Sequence, residues 1–221
     1  MVPDAQLIVA CVRVGSKYPI EYVQRLRNMV SRHLEAPHIM VCLTDQPERC
    51  EAVSFIDIEE LGLHGWWAKM ALFEPRWRCD AKVVFFDLDT VICGPIDVLS
   101  MLFGELWMLE SPVRLAGHRT YPCAYNSSCM VIGPGMASFI WRRFEEDRAY
   151  YIAKHERLGD QKVIEDIYPN APLLQRHLPG LFLNYRDLSN IKPKKAAVVN
   201  FGGDANRPHN CPIGWIKEAW R

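Results

Sequence analysis

Apolar residues recur along the chain in two patterns, continuous runs and helical spacing, and segments with one pattern alternate with segments with the other. Uninterrupted apolar runs rich in β-branched residues predict buried strands at 6–14, 38–43, 82–88, 129–132 and 196–201. Apolar positions at helical spacing predict helices at 19–34, 66–76, 136–154 and 160–167. Segment 52–58 predicts a shorter edge strand, 104–109 indicates another strand, and 111–125 is typical of a loop.

This alternation of strands and helices predicts the fold class. Strand and helix patterns that follow one another are typical of an α/β protein with a mostly parallel central sheet flanked by helices, in the Rossmann-like manner. No internal repeat, linker or low-complexity tract interrupts the pattern. We therefore expect residues 1–221 to form a single domain.

Composition and charge exclude several functional classes. Hydrophobic residues make up 49% of the chain, enough for a substantial core, and 26 basic residues balance 26 acidic ones. This balance gives no general attraction to nucleic acid. No apolar run reaches the roughly 20 residues that an integral membrane segment needs, and no signal peptide is recognised. The eight cysteines form no CxxC pair. We expect reduced thiols and a cytoplasmic protein.

The main chemical signal is the pair Asp87 and Asp89 at the end of the strand 82–88. Alternate strand positions point the same way, so we expect both carboxylates to face one site and Leu88 to face the core. Open α/β sheets bind ligands at the carboxyl ends of their strands. Two neighbouring carboxylates favour a hard cation, Mn²⁺ or Mg²⁺, that keeps positions open for phosphate oxygens.

Two enzyme classes place an Asp-x-Asp pair at such a position. Glycosyltransferases use it to hold a metal on the diphosphate of a nucleotide-sugar, and haloacid-dehalogenase-type phosphohydrolases use its first Asp as nucleophile. The stretch 87–92, DLDTVI, fits both patterns. At least three predicted strands precede it, whereas the phosphohydrolase pattern usually lies on the first strand. The acidic pair Glu165 and Asp166 lies on a predicted helix, not on the strand end that a phosphohydrolase needs.

Four stretches in order resemble a known family. FDLDTV, YNSSCMVI, GDQ and NFGG with RPH beyond it are similar to motifs of family-8-type glycosyltransferases of the GT-A fold, especially their short bacterial members. The stretches WWAKMALF and YVQRLRNMVSRHL are also similar. The resemblance covers nearly the whole chain and implies a GT-A-like domain that transfers a hexose from a nucleotide-sugar, such as a UDP-sugar, with retention of configuration.

The resemblance implies a role for individual residues. Asp87 and Asp89 would hold the metal, while Asp160 and Gln161 would lie by the reaction centre. The residues that would contact the donor are Lys69, Asn126, Ser127, Gly202, Gly203 and Arg207. Arg207 stands where the family has a diphosphate-binding lysine. Arg13, at the end of the first strand, faces either a phosphate or the solvent.

The chain departs from the family pattern at the third metal ligand. Asn200 stands where the family usually has His, and its amide oxygen is a weaker ligand. His209 is a second candidate. Ordinary structural roles compete with several assignments: Asp160 as a helix cap, Asn126 as a turn cap, Gly202 and Gly203 as a turn, and Lys69 as a solvated charge.

The sequence therefore predicts a metal-dependent glycosyltransferase whose acceptor is a glycan, a lipid-linked sugar or a small molecule. The Asp pair would bind the metal that stabilises the leaving nucleoside diphosphate. The alternatives are a phosphohydrolase that uses Asp87 and a degenerate module that binds a nucleotide-sugar without turnover. The histidines show no HExxH spacing, and the chain has no P-loop.

Overall fold

A computed structural model describes residues 7–78, 80–202 and 206–221, with the side chain of Ala137 left aside. Gly203, one of the predicted donor-binding residues, lies outside the described residues. The strands are β1 (Leu7–Arg13), β2 (Ile39–Thr44), β3 (Val53–Asp57), β4 (Lys82–Phe86), β5 (Thr90–Ile92), β6 (Leu106–Glu110), β7 (Tyr125–Ile132), β8 (Phe182–Asn184) and β9 (Val198–Asn200).

Helices alternate with these strands along the chain. The α-helices are α1 (Ile20–His33), α2 (Asp97–Ser100), α3 (Pro112–Leu115), α4 (Met136–Glu146), α5 (Arg148–Lys154), α6 (Asp160–Ile167), α7 (Leu174–His177) and α8 (Gly214–Ala219). Short 3-10 helices cover Glu59–Leu61, Gly65–Phe73, Pro75–Trp77, Tyr185–Asp187 and Pro208–Asn210.

A six-stranded sheet forms the centre of the molecule, in the order β3-β2-β1-β4-β7-β6. The four strands from β3 to β4 are parallel, and β7 runs antiparallel to both β4 and β6. The predicted α/β class and mainly parallel sheet are confirmed, and 52–58 does supply the edge strand β3. The reversal of β7 could not be predicted, because a buried apolar strand carries no sign of its direction.

Both faces of this sheet are covered. Along β1, Leu7, Val9 and Cys11 enter one apolar cluster, while Ile8 and Ala10 enter the other. Helix α1 packs on the first face, whereas α4, α6 and the segment Gly65–Phe73 pack on the second. Burial on both faces explains why β1 is an uninterrupted apolar run.

A second, three-stranded sheet has the order β5-β9-β8. Segment 196–201 was predicted as the last strand, and its strand β9 pairs here with β5 and β8. Strands β5 and β8 have three residues each, which is too short for a periodic pattern to reveal. Because β5 begins directly after Asp89, this small sheet lies next to the acidic pair.

Four local predictions were wrong in detail. Segment 111–125, predicted as a loop, contains α3 (Pro112–Leu115) and the first residue of β7. Segment 66–76 is not an α-helix but two 3-10 helices, Gly65–Phe73 and Pro75–Trp77. Segment 136–154 is divided at Asp147, whose φ and ψ of −151° and 53° are not helical. Asp87–Asp89 forms a turn rather than the end of a strand, because β4 ends at Phe86.

The described helices and cysteines bear on where the chain could function. In residues 7–78, 80–202 and 206–221, no helix combines the length and the apolar character needed to cross a bilayer. The described cysteines are unpaired thiols, and Cys11, Cys42, Cys93, Cys123, Cys129 and Cys211 are buried.

Helix α4 offers a test of the packing. Phe144 is fully buried in the apolar cluster on the second face of the sheet, whereas Phe139 on the same helix is 38% exposed. Phe144→Ala should lower the free energy of unfolding by about 3–5 kcal/mol, because it leaves a cavity in the core. Phe139→Ala is the matched control and should cost far less. Urea unfolding followed by circular dichroism measures both, and equal losses would contradict the packing described.

Candidate functional site

A cavity of about 460 Å³ lies at the carboxyl ends of β1 and β4. We call it the donor cleft, for the ligand that the sequence predicts there. It is lined by Val12, Val14, Lys17, Tyr18, Gly65, Trp66, Lys69, Asp87, Leu88, Asp89, Ser127, Ser128, Arg157, Leu158, Asp160, Gln161, Phe201 and Gly202. Its position agrees with the rule for open α/β sheets.

The turn after β4 brings both acidic residues to this cleft. The backbone N–H of Asp87 donates to Ser128 O on β7 at 2.9 Å, and the N–H of Thr90 donates to Asp87 O at 3.0 Å. Leu88 is buried between them, as predicted, although it also borders the cavity. The two carboxylates therefore share a site because of the turn, and not because of strand alternation.

Lys69 is the cation in direct contact with Asp87. Its Nζ lies 2.7 Å and 2.9 Å from the two carboxylate oxygens and 3.3 Å from Ser127 Oγ. Burial alone lowers the pKa of Lys69, but the charges of Asp87 and Asp160 outweigh burial and raise it. Lys69 is therefore not the solvated charge that its helical position suggests. It remains charged and joins the acidic residues of the cleft.

Asp89 is held by a different partner. Tyr18 Oη donates a hydrogen bond of 2.8 Å to Asp89 Oδ2. Burial, and next the charge of Asp87, raise the pKa of Asp89 to about 6. Burial and the same carboxylate raise the pKa of Tyr18, which keeps the phenol protonated. The two acids thus repel each other across the cleft.

Asp160 is not a helix cap. It is the first residue of α6, and the capping position belongs to Gly159, which has no side chain to form a cap bond. Its carboxylate is buried, and Oδ2 has no hydrogen-bond partner among the described residues. Burial raises its pKa, although nearby Lys69 opposes the shift. A buried, unpartnered oxygen that borders a cavity is available to a ligand.

Trp66 covers the start of α6. Gly159 has a φ of +70°, which favours glycine, and a Cβ added there would lie only 3.1 Å from Trp66 Cδ1. Trp66 also borders the cleft and is 51% exposed. Exposed aromatic rings in such clefts provide apolar faces for ligands.

Arg207 is not among the residues that line the cleft, but it contacts two residues that are, Lys17 and Tyr18. Its guanidinium stacks on the Tyr18 ring at 4.8 Å, and Nη1 donates to Lys17 O at 3.0 Å. Arg13 has a structural role instead: it forms an ion pair of 2.7 Å with Glu48 and donates to Tyr18 O at 2.9 Å. Arg13 thereby supports the segment that carries Tyr18.

Asn126 and Asn200 border a neighbouring cavity of about 140 Å³, which shares Ser128, Phe201 and Gly202 with the donor cleft. We call it the middle cavity. Asn200 pairs in register with Thr90, the residue after Asp89, and its buried Oδ1 has no partner in the described part of the chain. Asn200 is among the residues that line the middle cavity and not among those that line the donor cleft, and a buried amide oxygen without a partner is rare in a folded protein.

His209 lies away from the lining of both cavities, as far as the described residues show. Its Nδ1 is 2.6 Å from Tyr22 Oη, and its ring lies near Trp220. The cysteine, histidine and carboxylate side chains of the described residues form no group of three or more that could hold a metal.

The oxygen atoms at the cleft nevertheless fit one type of cation. The carboxylates of Asp87 and Asp89 border the cleft and offer only oxygen atoms, which suit Mn²⁺ or Mg²⁺ and not zinc, whereas the unpartnered amide oxygen of Asn200 belongs to a residue that lines the middle cavity. A set this small leaves positions for water and phosphate oxygens.

The lining includes residues that were not among the predicted site residues, and those with a charged group or a large aromatic ring at the cleft include Lys17, Tyr18, Trp66 and Arg157. Lys17 and Tyr18 belong to the loop after β1, and loops after the carboxyl ends of strands are where such sheets bind ligands. That rule could have identified both. Nothing in the sequence marks Arg157.

Comparison with known proteins identifies the fold. No protein-family model and no curated protein sequence matches this chain. Among solved structures, the chain is similar to the galactosyltransferase LgtC, determined with donor and acceptor sugar analogs, with a TM-score of 0.71 and 12% identity. The alignment covers 96% of this chain and 93% of LgtC.

Two further solved glycosyltransferases are similar. WbbM, a bifunctional enzyme, has a TM-score of 0.62 and 13% identity. The alignment covers 100% of this chain and 52% of the WbbM chain. GlyE from Streptococcus pneumoniae TIGR4, in its apo form, has a TM-score of 0.65 and 14% identity. The alignment covers 97% of this chain and 59% of the GlyE chain. The chain thus has the GT-A fold of these glycosyltransferases, as its motifs predicted.

The contact of Lys69 with Asp87 predicts a strong coupling. Lys69→Met should lower the free energy of unfolding by about 2 kcal/mol or more, because it leaves Asp87 and Asp160 without their counter-charge in a half-buried site. Asp87→Asn made in the Lys69→Met variant should lower the free energy of unfolding by less than Asp87→Asn made in the unmodified protein, or should raise it. Urea unfolding of the four proteins of this cycle measures the coupling.

The matched control is the exposed ion pair between Arg143 and Glu146, at 2.8 Å on α4. Arg143→Met should change stability little, because solvent screens that pair. Additive effects of the Lys69 and Asp87 substitutions would contradict the role given to Lys69.

Proposed function

We propose that this protein is a glycosyltransferase that takes its sugar from a nucleotide-sugar, with a UDP-sugar as the proposed donor. The observation that carries the proposal is the acidic pair Asp87 and Asp89, which borders a cleft on a GT-A fold together with Lys69. Asp160 and Gln161 border the same cleft, in agreement with the roles that the family resemblance implies for them.

A divalent cation, Mn²⁺ or Mg²⁺, is the proposed cofactor. Asp87 and Asp89 would hold it, with Asn200 as a further oxygen ligand, and when bound it would act as a Lewis acid on the diphosphate of the donor. The mutual repulsion of the two carboxylates and the unpartnered Asn200 oxygen support this proposal.

Positive charge from the chain would assist departure of the nucleoside diphosphate. Lys69 is charged and directed into the cleft by Asp87, and the guanidinium of Arg207 is fixed beside the cleft by Tyr18. Fixed charges that need no reorganisation are effective at stabilising charge that develops in a transition state. Tyr18 links the two features, because it also orients Asp89.

The sugar would lie between the acidic pair and α6. The unpartnered Oδ2 of Asp160 would accept a hydrogen bond from a sugar hydroxyl, and Lys69 would keep this carboxylate charged. Gly202, which borders both cavities, would let the backbone approach the diphosphate. Ser127 and Asn126 would contact the donor sugar, and the resemblance supports transfer with retention of configuration.

The phosphohydrolase alternative is not favoured. The acidic pair that it would need, Glu165 and Asp166, lies on α6. Glu165 accepts hydrogen bonds from the Ala124 N–H, and Asp166 binds Lys162 and His155. A degenerate nucleotide-sugar-binding module remains the second candidate, on the observation that Asn200 replaces the family's histidine.

Substitution of the acidic pair tests the proposed function. Asp87→Asn and Asp89→Asn should each lower turnover of the correct nucleotide-sugar by about 10²–10³-fold, because each removes charge from the proposed cation site. Release of nucleoside diphosphate from a panel of nucleotide-sugars with Mn²⁺ measures this. Glu218→Gln, at an exposed position of α8, is the control and should keep full activity.

Circular dichroism must show that both variants fold, so that loss of activity reports on the site. Full activity in either folded variant would refute the role of the pair. Release of phosphate from a simple phosphoester, with no turnover of any nucleotide-sugar, would support the phosphohydrolase instead.

A further inference from the structure

A third cavity, of about 470 Å³, is lined by arginine side chains. We call it the arginine cavity. It lies where β6 ends and α3 and α7 begin, and its lining residues are Glu110, Arg114, Leu115, Arg119 and Arg176. Neither the sequence motifs nor the proposed donor chemistry uses these arginines.

The guanidinium groups of this cavity are only partly satisfied by the chain. Arg176 forms two hydrogen bonds to Glu110, at 2.8 and 3.0 Å, which fix both side chains. Arg114 uses its Nε for Tyr121 O at 2.9 Å, and its Nη atoms have no hydrogen-bond partner among the described residues. The exposed Arg119 guanidinium has no side-chain partner in the described part of the chain.

Charge favours an anion at this place. The lining has three guanidinium groups and the single carboxylate of Glu110, which gives it a net charge of about +2. The planar fork of Arg matches the oxygen atoms of phosphate and binds them through paired hydrogen bonds. A phosphate or diphosphate group has the charge and the number of acceptor oxygens to bind Arg114 and Arg119 together.

The arginine cavity adjoins the proposed reaction site through the middle cavity. It shares Glu110 and Leu115 with the middle cavity, which in turn shares Ser128, Phe201 and Gly202 with the donor cleft. A ligand whose phosphate lies at the arginines can therefore extend a sugar towards Asp87 and Asp89.

We propose that the arginine cavity binds a phosphate or diphosphate group on the acceptor, so that the acceptor is a phosphorylated sugar. This inference rests on the proposed glycosyltransferase function. Arg114 and Arg119 bind the phosphate oxygens, Arg176 completes the positive lining, and Glu110 holds Arg176 in place. The acceptor hydroxyl lies in the middle cavity, next to the donor.

Binding of inorganic phosphate, without divalent cation, tests the site itself. Isothermal titration should show that the double variant Arg114→Gln/Arg119→Gln binds phosphate at least about tenfold more weakly than the unmodified protein, because both unpartnered guanidinium groups are lost. Arg142→Gln, at an exposed position of α4, is the matched control. Equal phosphate affinity in the double variant and the unmodified protein would overturn the proposal.

A substitution that removes negative charge from the arginine cavity should have the opposite effect on phosphate affinity. Glu110→Gln removes the carboxylate of the cavity and frees Arg176, so phosphate should bind about three- to tenfold more tightly. The substitution keeps the shape of the side chain, and the bond from the Glu110 N–H to Gln175 does not involve the carboxylate. Weaker phosphate binding in this folded variant would contradict an electrostatic anion site.

Transfer assays then test the link to the acceptor. Hexoses are compared with their 1-phosphates, and with the same hexoses on a lipid diphosphate in detergent micelles. The unmodified protein should prefer a phosphorylated member at least about tenfold in kcat/KM, and the Arg114→Gln/Arg119→Gln variant should lose this preference. Preference for the 1-phosphate indicates a soluble acceptor, and preference for the diphosphate indicates a lipid-linked one.

Failure of this inference differs from failure of the proposed function. If the double variant keeps nucleotide-sugar hydrolysis and an unchanged preference for phosphorylated acceptors, the arginine cavity is not the acceptor site, although the protein is still a glycosyltransferase. If no nucleotide-sugar is turned over or bound, while phosphate still binds at the arginines, the proposed function fails and the acceptor role fails with it.

Discussion

The repulsion between two neighbouring carboxylates is the constraint on which the site depends. Asp87 and Asp89 border one half-buried cleft, and their mutual repulsion adds to burial in raising the pKa of Asp89 to about 6. The fold opposes this repulsion with the ammonium of Lys69 and the hydroxyl of Tyr18. These contacts hold the carboxylates in place, and carboxylate oxygen atoms are the ligands that a hard cation prefers.

The fold explains how so much charge is tolerated. A sheet that is buried on both faces fixes the end of β4, and the small sheet beginning at Thr90 fixes the other side of the turn. Asp160 enters from α6, where Gly159 and Trp66 determine how the helix starts. The donor cleft, the middle cavity and the arginine cavity then follow one another along the carboxyl edge of the sheet.

The sequence predicts the parts of this arrangement that periodicity and short motifs encode. The α/β class, the long strands and the shared cleft of Asp87, Asp89, Lys69 and Asp160 follow from them. Contacts between distant segments do not: the bond from Tyr18 to Asp89 joins residues 71 positions apart. The reversed direction of β7 and the grouping of Arg114, Arg119 and Arg176 also depend on tertiary packing, which no local pattern records.

The proposed function depends most on a cation that joins Asp87 and Asp89 to a nucleoside diphosphate. Thermal unfolding with uridine diphosphate, in the presence of Mn²⁺ or of a chelator, tests this directly. The melting temperature should rise by about 5 °C or more when nucleotide and Mn²⁺ are both saturating, and little with either alone. An equal rise in the presence of the chelator would contradict the account.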